Sequence, residues 1–201
     1  MSVLAIITAR GGSKRLPGKN MRPFCGMPLI GWTLQAALHS YQDLEVIAVT
    51  TDSQEIADYC IEFDSSIRIV RRPASLATDT ASSYDAVKHA WNMISYDFTG
   101  VTSFNYICLL QPTSPLRTCE DIIGCIDVAR QSATGYGAVS RTLGETAPNG
   151  AVYVGNTDWL LHGGNFSAPG IDTWWMPPHR SFDINTLADF EDAEAAYALS
   201  H

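Results

Sequence analysis

Residues 3–20 read Val3-Leu4-Ala5-Ile6-Ile7-Thr8-Ala9-Arg10-Gly11-Gly12-Ser13-Lys14-Arg15-Leu16-Pro17-Gly18-Lys19-Asn20. The run Val3–Ile7 is apolar without interruption, as a strand buried on both faces requires, and it leads directly into a glycine-rich basic loop. Glycine lets backbone N–H groups turn toward an anion, and Arg and Lys neutralise it. The spacing excludes the common phosphate loops. Gly12 and Gly18 enclose five residues where a Walker loop needs four, Asn20 stands where its hydroxyl belongs, and no G-x-G-x-x-G follows the strand. The alternative reading is an ordinary basic surface loop.

The loop sits in a lopsided charge distribution. The 201-residue chain has 13 Lys+Arg against 21 Asp+Glu and a formal net charge of −8. Residues 1–42 contain no acid, yet they carry Arg10, Lys14, Arg15, Lys19 and Arg22. A basic head on an acidic chain suits a small anion, whereas a nucleic-acid binder spreads basic charge over much of its surface. A hydrophobic fraction of 46% with 17% charged residues describes a globular chain. Runs such as Val3–Ile7 and Ile107–Leu110 are too short to span a bilayer, so no membrane role is expected. The opening run lacks the pattern of a secretory leader. Five cysteines at irregular spacing, with no C-x-x-C, read as free thiols in a reducing, cytoplasmic compartment.

Outward from the first loop, strands and helices alternate. Helical spacing covers Leu29 to His39, and Glu45–Thr50 is a second buried strand. Ser53-Gln54-Glu55-Ile56 opens a capped helix to about Glu62. Ile67–Val70 is a short strand, Ser82 or Ser83 caps a helix to about Ile94, and Tyr106–Leu110 is again a buried strand. Thr118 starts a helix to about Arg130. Gly137–Ser140 and Ala151–Val154 are strands, and Ala188 to Leu199 is a closing helix. Asn156–Pro178 reads as an irregular excursion. This alternation predicts one α/β domain over residues 1–201, with a three-layer, doubly wound, mainly parallel sheet. In such sheets ligands sit beyond the carboxyl ends of the strands.

Three further segments occupy such ends. Arg71–Ser83 is small and hydroxyl-rich, able to wrap a base, although such residues also serve as helix caps. In Leu109–Thr118 two prolines fix the turn and Gln111 is placed to reach the crevice. In Ser181–Thr186, read as a strand, Asp183 and Asn185 share a face. Two oxygen ligands near phosphates suit Mg²⁺, which takes few protein ligands; a strand exit capped by Asp and Thr is the alternative. Nothing in these segments calls for a catalytic histidine, and His39, His89, His162, His179 and His201 read as packing or surface residues.

In order, A-R-G-G-S-K-R-L-P-G-K-N, R-P-A-S-L-A-T-D-T-A-S-S, L-L-Q-P-T-S-P-L-R-T and P-N-G-A-V-Y-V resemble the CMP-sugar-acid synthetases. These are cytidylyltransferases that activate sialic acid, with pseudaminic and legionaminic relatives and Kdo more distantly. The resemblance runs through most of residues 3–140, then Asn149–Val154 and Ser181–Glu194. It implies a Rossmann-like nucleotidyltransferase that transfers CMP from CTP to the anomeric hydroxyl of a nonulosonic sugar acid. By the same resemblance Arg10, Gly11, Gly12, Ser13, Lys14 and Lys19 hold phosphates and Asn20 approaches base and ribose. Arg72, Ala81 and Ser83 line the cytosine pocket. Gln111, Ser114, Asn149 and Phe166 face the sugar acid, and Asp183 with Asn185 holds Mg²⁺. The catalytic set implied is Arg10, Lys19, Gln111 and Asp183. A nucleotide-binding module with lost or altered turnover, or with another nucleotide or sugar, is the alternative.

Two departures carry consequences. The family's metal pair is Asp-x-Asp, whereas Asn185 brings an amide without charge, which predicts a weaker site with one anchoring carboxylate. The family also carries a segment that builds its dimer and part of its sugar pocket. Here only the eight residues Arg141–Pro148 separate Ser140 from Asn149, so a monomer or a non-standard dimer is expected. If Arg10 and Lys19 serve ligand and not core, Arg10→Ala or Lys19→Ala lowers turnover by more than about tenfold with the melting temperature nearly unchanged.

Overall fold

The computed structural model describes residues 1–78, 80–97 and 104–200, and its first strand is the apolar run itself. In β1 (Val3–Thr8) every residue from Val3 to Ile7 is fully buried. Its alternate side chains feed two cores: Val3, Ala5 and Ile7 join one, Leu4 and Ile6 the other. That division is why the run does not alternate with polar residues.

After the basic loop come a short hairpin, β2 (Pro23–Phe24) and β3 (Met27–Pro28), then α1 (Leu29–His39), β4 (Val46–Thr51), α2 (Gln54–Phe63) and β5 (Arg68–Arg71). The chain continues through α3 (Ser83–Asp97), β6 (Tyr106–Leu110), α4 (Cys119–Arg130), β7 (Gly137–Thr142), β8 (Pro148–Asn156), α5 (Thr157–Leu161), β9 (Asp172–Met176) and α6 (Leu187–Ser200). Among the described residues the main sheet runs β5-β4-β1-β6-β8-β7-β9. β1 pairs in parallel with β4 and β6, β4 with β5 and β7 with β9, while β8 runs antiparallel to both β6 and β7. Ile30, Leu34, Ile56, Ile122 and Ile126 of α1, α2 and α4 pack on one face of the sheet. Val87, Ala90 and Leu160 of α3 and α5 pack on the other. The expected three-layer, mainly parallel architecture is the one found.

Local chemistry sets the helix starts. The Ser53 hydroxyl accepts from the Ile56 N–H at 3.4 Å, and Ser82 accepts from Asp85 at 3.1 Å. Thr118 and Asp121 form a reciprocal capping box at α4. Asp121 does more than cap. It is fully buried, receives two hydrogen bonds from Arg180 at 3.1 and 2.8 Å, and accepts from Trp174 of β9 at 3.2 Å. Burial alone would raise its carboxyl, but the hydrogen bonds from Arg180, Thr118 and Trp174 outweigh it and hold it below the usual value.

The structure corrects the sequence reading in two places. Asn156–Pro178 is not wholly irregular: it contains α5 and the edge strand β9. β9 buries only Met176 fully, so it lacks the continuous apolar pattern of β1 or β6. Its Trp174 instead lies across Gly124, where a Cβ would come within 2.5 Å of the indole. Ser181–Thr186 is not a strand. It is an irregular segment, held near the end of β6 by the Ile184 N–H donating to the Thr113 carbonyl at 2.7 Å. Pro177 and Pro178 precede it, and Asp189 folds back onto the Asn185 and Thr186 N–H groups at 2.8 and 2.7 Å, so no ladder can form. His201 lies outside the described residues.

Two stability predictions follow from these contacts. Gly137 has φ of 136°, and a Cβ there would lie 2.0 Å from the Val154 carbonyl oxygen. Gly163, with φ of 99°, faces open space. Urea denaturation should show Gly163→Ala costing about 1–2 kcal/mol, the penalty for left-handed backbone, and Gly137→Ala clearly more; equal costs would contradict the contact. Because the Asp121 carboxyl is lowered in the folded state, its contribution is fully present above about pH 4 and is lost as pH falls through the folded value. Asp121→Asn should therefore lower stability at pH 7 and flatten its dependence on pH below 4.

Candidate functional site

The chain leaves β1 in one direction toward β4 and β5, then returns to place β6 on the other side of β1. A crevice opens at that switch, beyond the carboxyl ends of β1, β5 and β6. It encloses about 230 Å³ and is walled by Thr8, Arg10, Gly12, Ser13, Lys19, Asn20, Arg72, Leu76, Thr78, Ala81, Ser82, Ser83, Gln111, Pro112 and Thr113. A second cavity of about 320 Å³ adjoins it, lined by Arg10, Ser13, Lys14, Arg15, Lys19 and Asn185. Arg10, Ser13 and Lys19 are common to both. The first compartment is rich in hydroxyls, while the second has four cations and one amide.

The first loop is held by side-chain hydrogen bonds. The Gly11 N–H donates to Asp52, just past β4, at 2.9 Å. Asn20, nearly buried, donates to the Arg10 carbonyl at 2.8 Å. Gly18 turns the chain through φ of 67° into the single turn Lys19–Met21. Lys19 reaches across the strand ends and donates to the Ile184 carbonyl at 2.7 Å. Desolvation lowers the Lys19 ammonium, and Asp183 partly opposes that shift while Arg15 and Arg10 add to it. Arg72 is anchored to β4 through the Thr50 carbonyl at 2.7 Å, and burial lowers its guanidinium.

On the other wall Gln111 approaches Gly150, which has φ of 86°. A Cβ at Gly150 would lie 3.5 Å from the Gln111 Oε1 and 3.4 Å from the Asp183 Cγ. That glycine lets the carboxylate and the amide converge. Asp183 is exposed, and its Oδ2 accepts from the Asn185 amide at 2.8 Å. The Asn185 Oδ1 accepts in turn from Arg15 at 3.3 Å. Asn185 thus turns its nitrogen, not its oxygen, toward Asp183. Among the described residues no group of three or more His, Cys, Asp or Glu side chains could hold a metal ion. None of the described histidines lines either compartment.

Most of the residues singled out in the sequence meet here. Five do not stand on the wall of either compartment: Asp183 is exposed beside it, and the other four are used elsewhere. Gly11 spends its N–H on Asp52. Ser114 is fully buried beneath the turn. Asn149 is consumed within the scaffold, its Oδ1 accepting from Ser140 and Ala151 and its amide donating to Ser181. Phe166 packs on Tyr153 and against Gly155. Spacing along the chain could not show which polar atoms the fold would use internally. Thr8, Thr78 and Thr113 are wall residues that sequence reading missed. Their position immediately after or opposite strand ends was the available signal.

The Lys19 contact changes one expectation. Because its ammonium holds Ile184, Lys19→Ala should also lose about 1 kcal/mol of stability in urea denaturation, the scale of a charged hydrogen bond at a half-buried site. An unchanged midpoint would remove that structural role.

Residues 4–139 match the family described as cytidylyltransferase. The CMP-N,N'-diacetyllegionaminic acid synthase of Legionella pneumophila is 42% identical over 141 residues, covering 70% of this chain and 57% of that protein. The N-acylneuraminate cytidylyltransferase of Escherichia coli is 30% identical, covering 94% of this chain and 50% of that protein. This chain thus spans about half the length of these two relatives. The pseudaminic acid cytidylyltransferase of Campylobacter jejuni is 35% identical over 233 aligned positions, covering all of this chain and 98% of that protein. Among solved structures, a CMP:2-keto-3-deoxy-manno-octonic acid synthetase complexed with CTP superposes with a TM-score of 0.70 at 16% identity, each chain covered completely. A cytidylyltransferase from Leptospira borgpetersenii gives 0.64 at 18% identity, covering 98% of this chain and 87% of that one. These two likenesses carry the fold; the family match over residues 4–139 and the full-length relative carry the kinship, and by them the chain belongs to the cytidylyltransferase family.

Proposed function

We propose that the chain transfers CMP from CTP to the anomeric hydroxyl of a sialic-acid-like sugar acid, giving the CMP-sugar and pyrophosphate. The observation that carries this reading is the pair of adjoining compartments at the β1/β6 switch, one hydroxyl-lined and one cationic, sharing Arg10, Ser13 and Lys19. A base and ribose suit the first, against Asn20, Arg72, Ala81 and Ser83. A triphosphate suits the second, against Arg10, Gly12, Ser13, Lys14 and Lys19. Gln111 faces the acceptor.

The chemistry asks for positioning and charge stabilisation, with no covalent nucleophile. The acceptor oxygen bonds to the α-phosphorus, the bond to the bridging oxygen breaks, pyrophosphate leaves and the hydroxyl proton is released. Arg10 and Lys19 stabilise the phosphoryl oxygens. The low dielectric around half-buried Lys19 strengthens that attraction. Asp183, exposed beside the cationic compartment, fits a magnesium held by one protein carboxylate with water and phosphate as its other ligands. Bound there, the ion supplies further neutralisation of phosphoryl charge. Asn185 organises Asp183 through its amide nitrogen.

The acceptor side is lean. Arg141, near the end of β7, is occupied by the Thr146 carbonyl at 2.8 Å and by Thr173, so it offers the sugar acid no replacement for the family's missing segment. With that segment shortened, the proposed oligomeric state is a monomer, or a dimer through another surface. A nucleotide-binding module without turnover is the second reading, favoured by the neutral Asn185 beside a single carboxylate.

The test is pyrophosphate release with CTP, Mg²⁺ and sialic, legionaminic and pseudaminic acids. Release with at least one acid is expected, with CTP preferred over UTP and GTP. CTP binding by calorimetry without release from any acid would favour the second reading, and absence of CTP binding would sink both. Asn185→Asp should tighten Mg²⁺ binding in the presence of CTP, since it adds a charge where the amide has none.

A further inference from the structure

We propose that Arg117, which lines neither compartment, is a positioning residue for the acceptor side: its guanidinium joins the ends of β6 and β8 and so aligns Gln111 with Gly150 and Asp183. The inference rests on the transfer reading above for its kinetic consequence, but not for its geometry.

Arg117 is 3% exposed. One terminal nitrogen donates to the Gln111 carbonyl at 2.8 Å and to the Ala151 carbonyl at 2.9 Å. The other donates to the hydroxyl of Thr33, a fully buried residue of α1. Its Nε–H is buried without an acceptor. A buried guanidinium ordinarily pairs with a carboxylate, and a nearby one exists in Asp121. Both Asp121 oxygens, however, are taken by Arg180, Trp174 and Thr118. Arg117 is therefore hydrogen-bonded only to carbonyl and hydroxyl groups, and desolvation, opposed in part by Cys108 and Asp121, pulls it down to about 10. An apolar side chain of similar volume would fill the space at lower cost. What it could not supply is a rigid, planar set of donors.

The placement of those donors is specific. The β6–β8 ladder ends at Leu110 paired with Val152. Gln111 and Ala151 are the next residues on each strand, where no ladder bond follows. A single Arg117 nitrogen bridges their two carbonyls, which unaided would repel. One residue beyond Ala151 lies Gly150, where an added Cβ would meet both Gln111 and Asp183. Release of the bridge lets the β8 end and Gly150 move, and the amide and carboxylate lose their common register. Most of the nucleotide wall comes from the segments after β1 and β5, and only Gln111, Pro112 and Thr113 come from the end of β6 that this bridge holds.

The test compares Arg117→Lys, which keeps a charge but not the planar donors, with Arg117→Met. Both are examined by calorimetric CTP binding, by steady-state kinetics with whichever sugar acid the wild type uses, and by the side-chain amide resonances of Gln111 and Asn20. CTP affinity should stay within about threefold. The ratio kcat/KM for the sugar acid should fall about tenfold or more in Arg117→Met and less in Arg117→Lys, because small misplacement of a reacting partner is heavily penalised. The Gln111 resonance should shift while that of Asn20 holds. A Gln111 resonance that does not move in a folded variant overturns the proposal, as does CTP affinity falling in step with turnover. If Arg117→Met does not fold, Arg117→Lys decides by the same readings. If the wild type turns over none of the acids, the transfer reading fails, and the Gln111 resonance alone still decides the positioning role.

Discussion

The parallel hydrogen bonds that β1 makes with β4 on one side and β6 on the other are the constraint on which the molecule depends. Parallel pairing puts the carboxyl ends of neighbouring strands at one edge of the sheet. The glycine-rich loop after β1, Asp52 after β4, Arg72 after β5 and Gln111 after β6 are far apart in sequence yet share that edge. Burial of both faces of β1 makes the pairing stable: each fully buried aliphatic side chain contributes about 1.5–3 kcal/mol.

Given that edge, side chains complete the geometry. Asp52 fixes Gly11, Asn20 fixes Arg10, and Arg72 fixes itself to Thr50. Lys19 spans the opening to reach Ile184, which brings a segment from near the end of the chain onto the crevice. Lys19 and Arg72 are both shifted downward chiefly by desolvation. Cations kept in partly dry surroundings attract phosphate more strongly than the same cations in water. The acid-free head and the carboxylate of Asp183 thus meet at the proposed site, with Asn185 joining Arg15 to Asp183 between them.

The proposed acceptor wall follows a different logic. It is assembled where β6 and β8 run out of ladder, from Gly150 at positive φ, the segment through Ile184 and the buried Arg117. Arg117 stands in the motif L-R-T beside a helix cap, and it is buried with its donors turned to the scaffold. Asn149 and Ser114, expected to face the sugar acid, are likewise buried within the scaffold.

Continuous apolar runs, capped helix starts and the order of strands and helices were enough to read the three-layer sheet, because each expresses local periodicity or local hydrogen bonding. The basic loop, the hydroxyl-rich turn and Gln111 were legible for the same reason: in a parallel sheet, a residue just past a buried strand has only one edge to occupy. β9 was not legible, since an edge strand with Trp174 lodged over Gly124 has no continuous apolar signature. Nor was the use of each polar atom. Whether Asn149, Gly11 or Asn185 offers its donors and acceptors to a ligand or to the scaffold is set by which distant groups come within hydrogen-bond reach. That is fixed only when the chain has closed on itself.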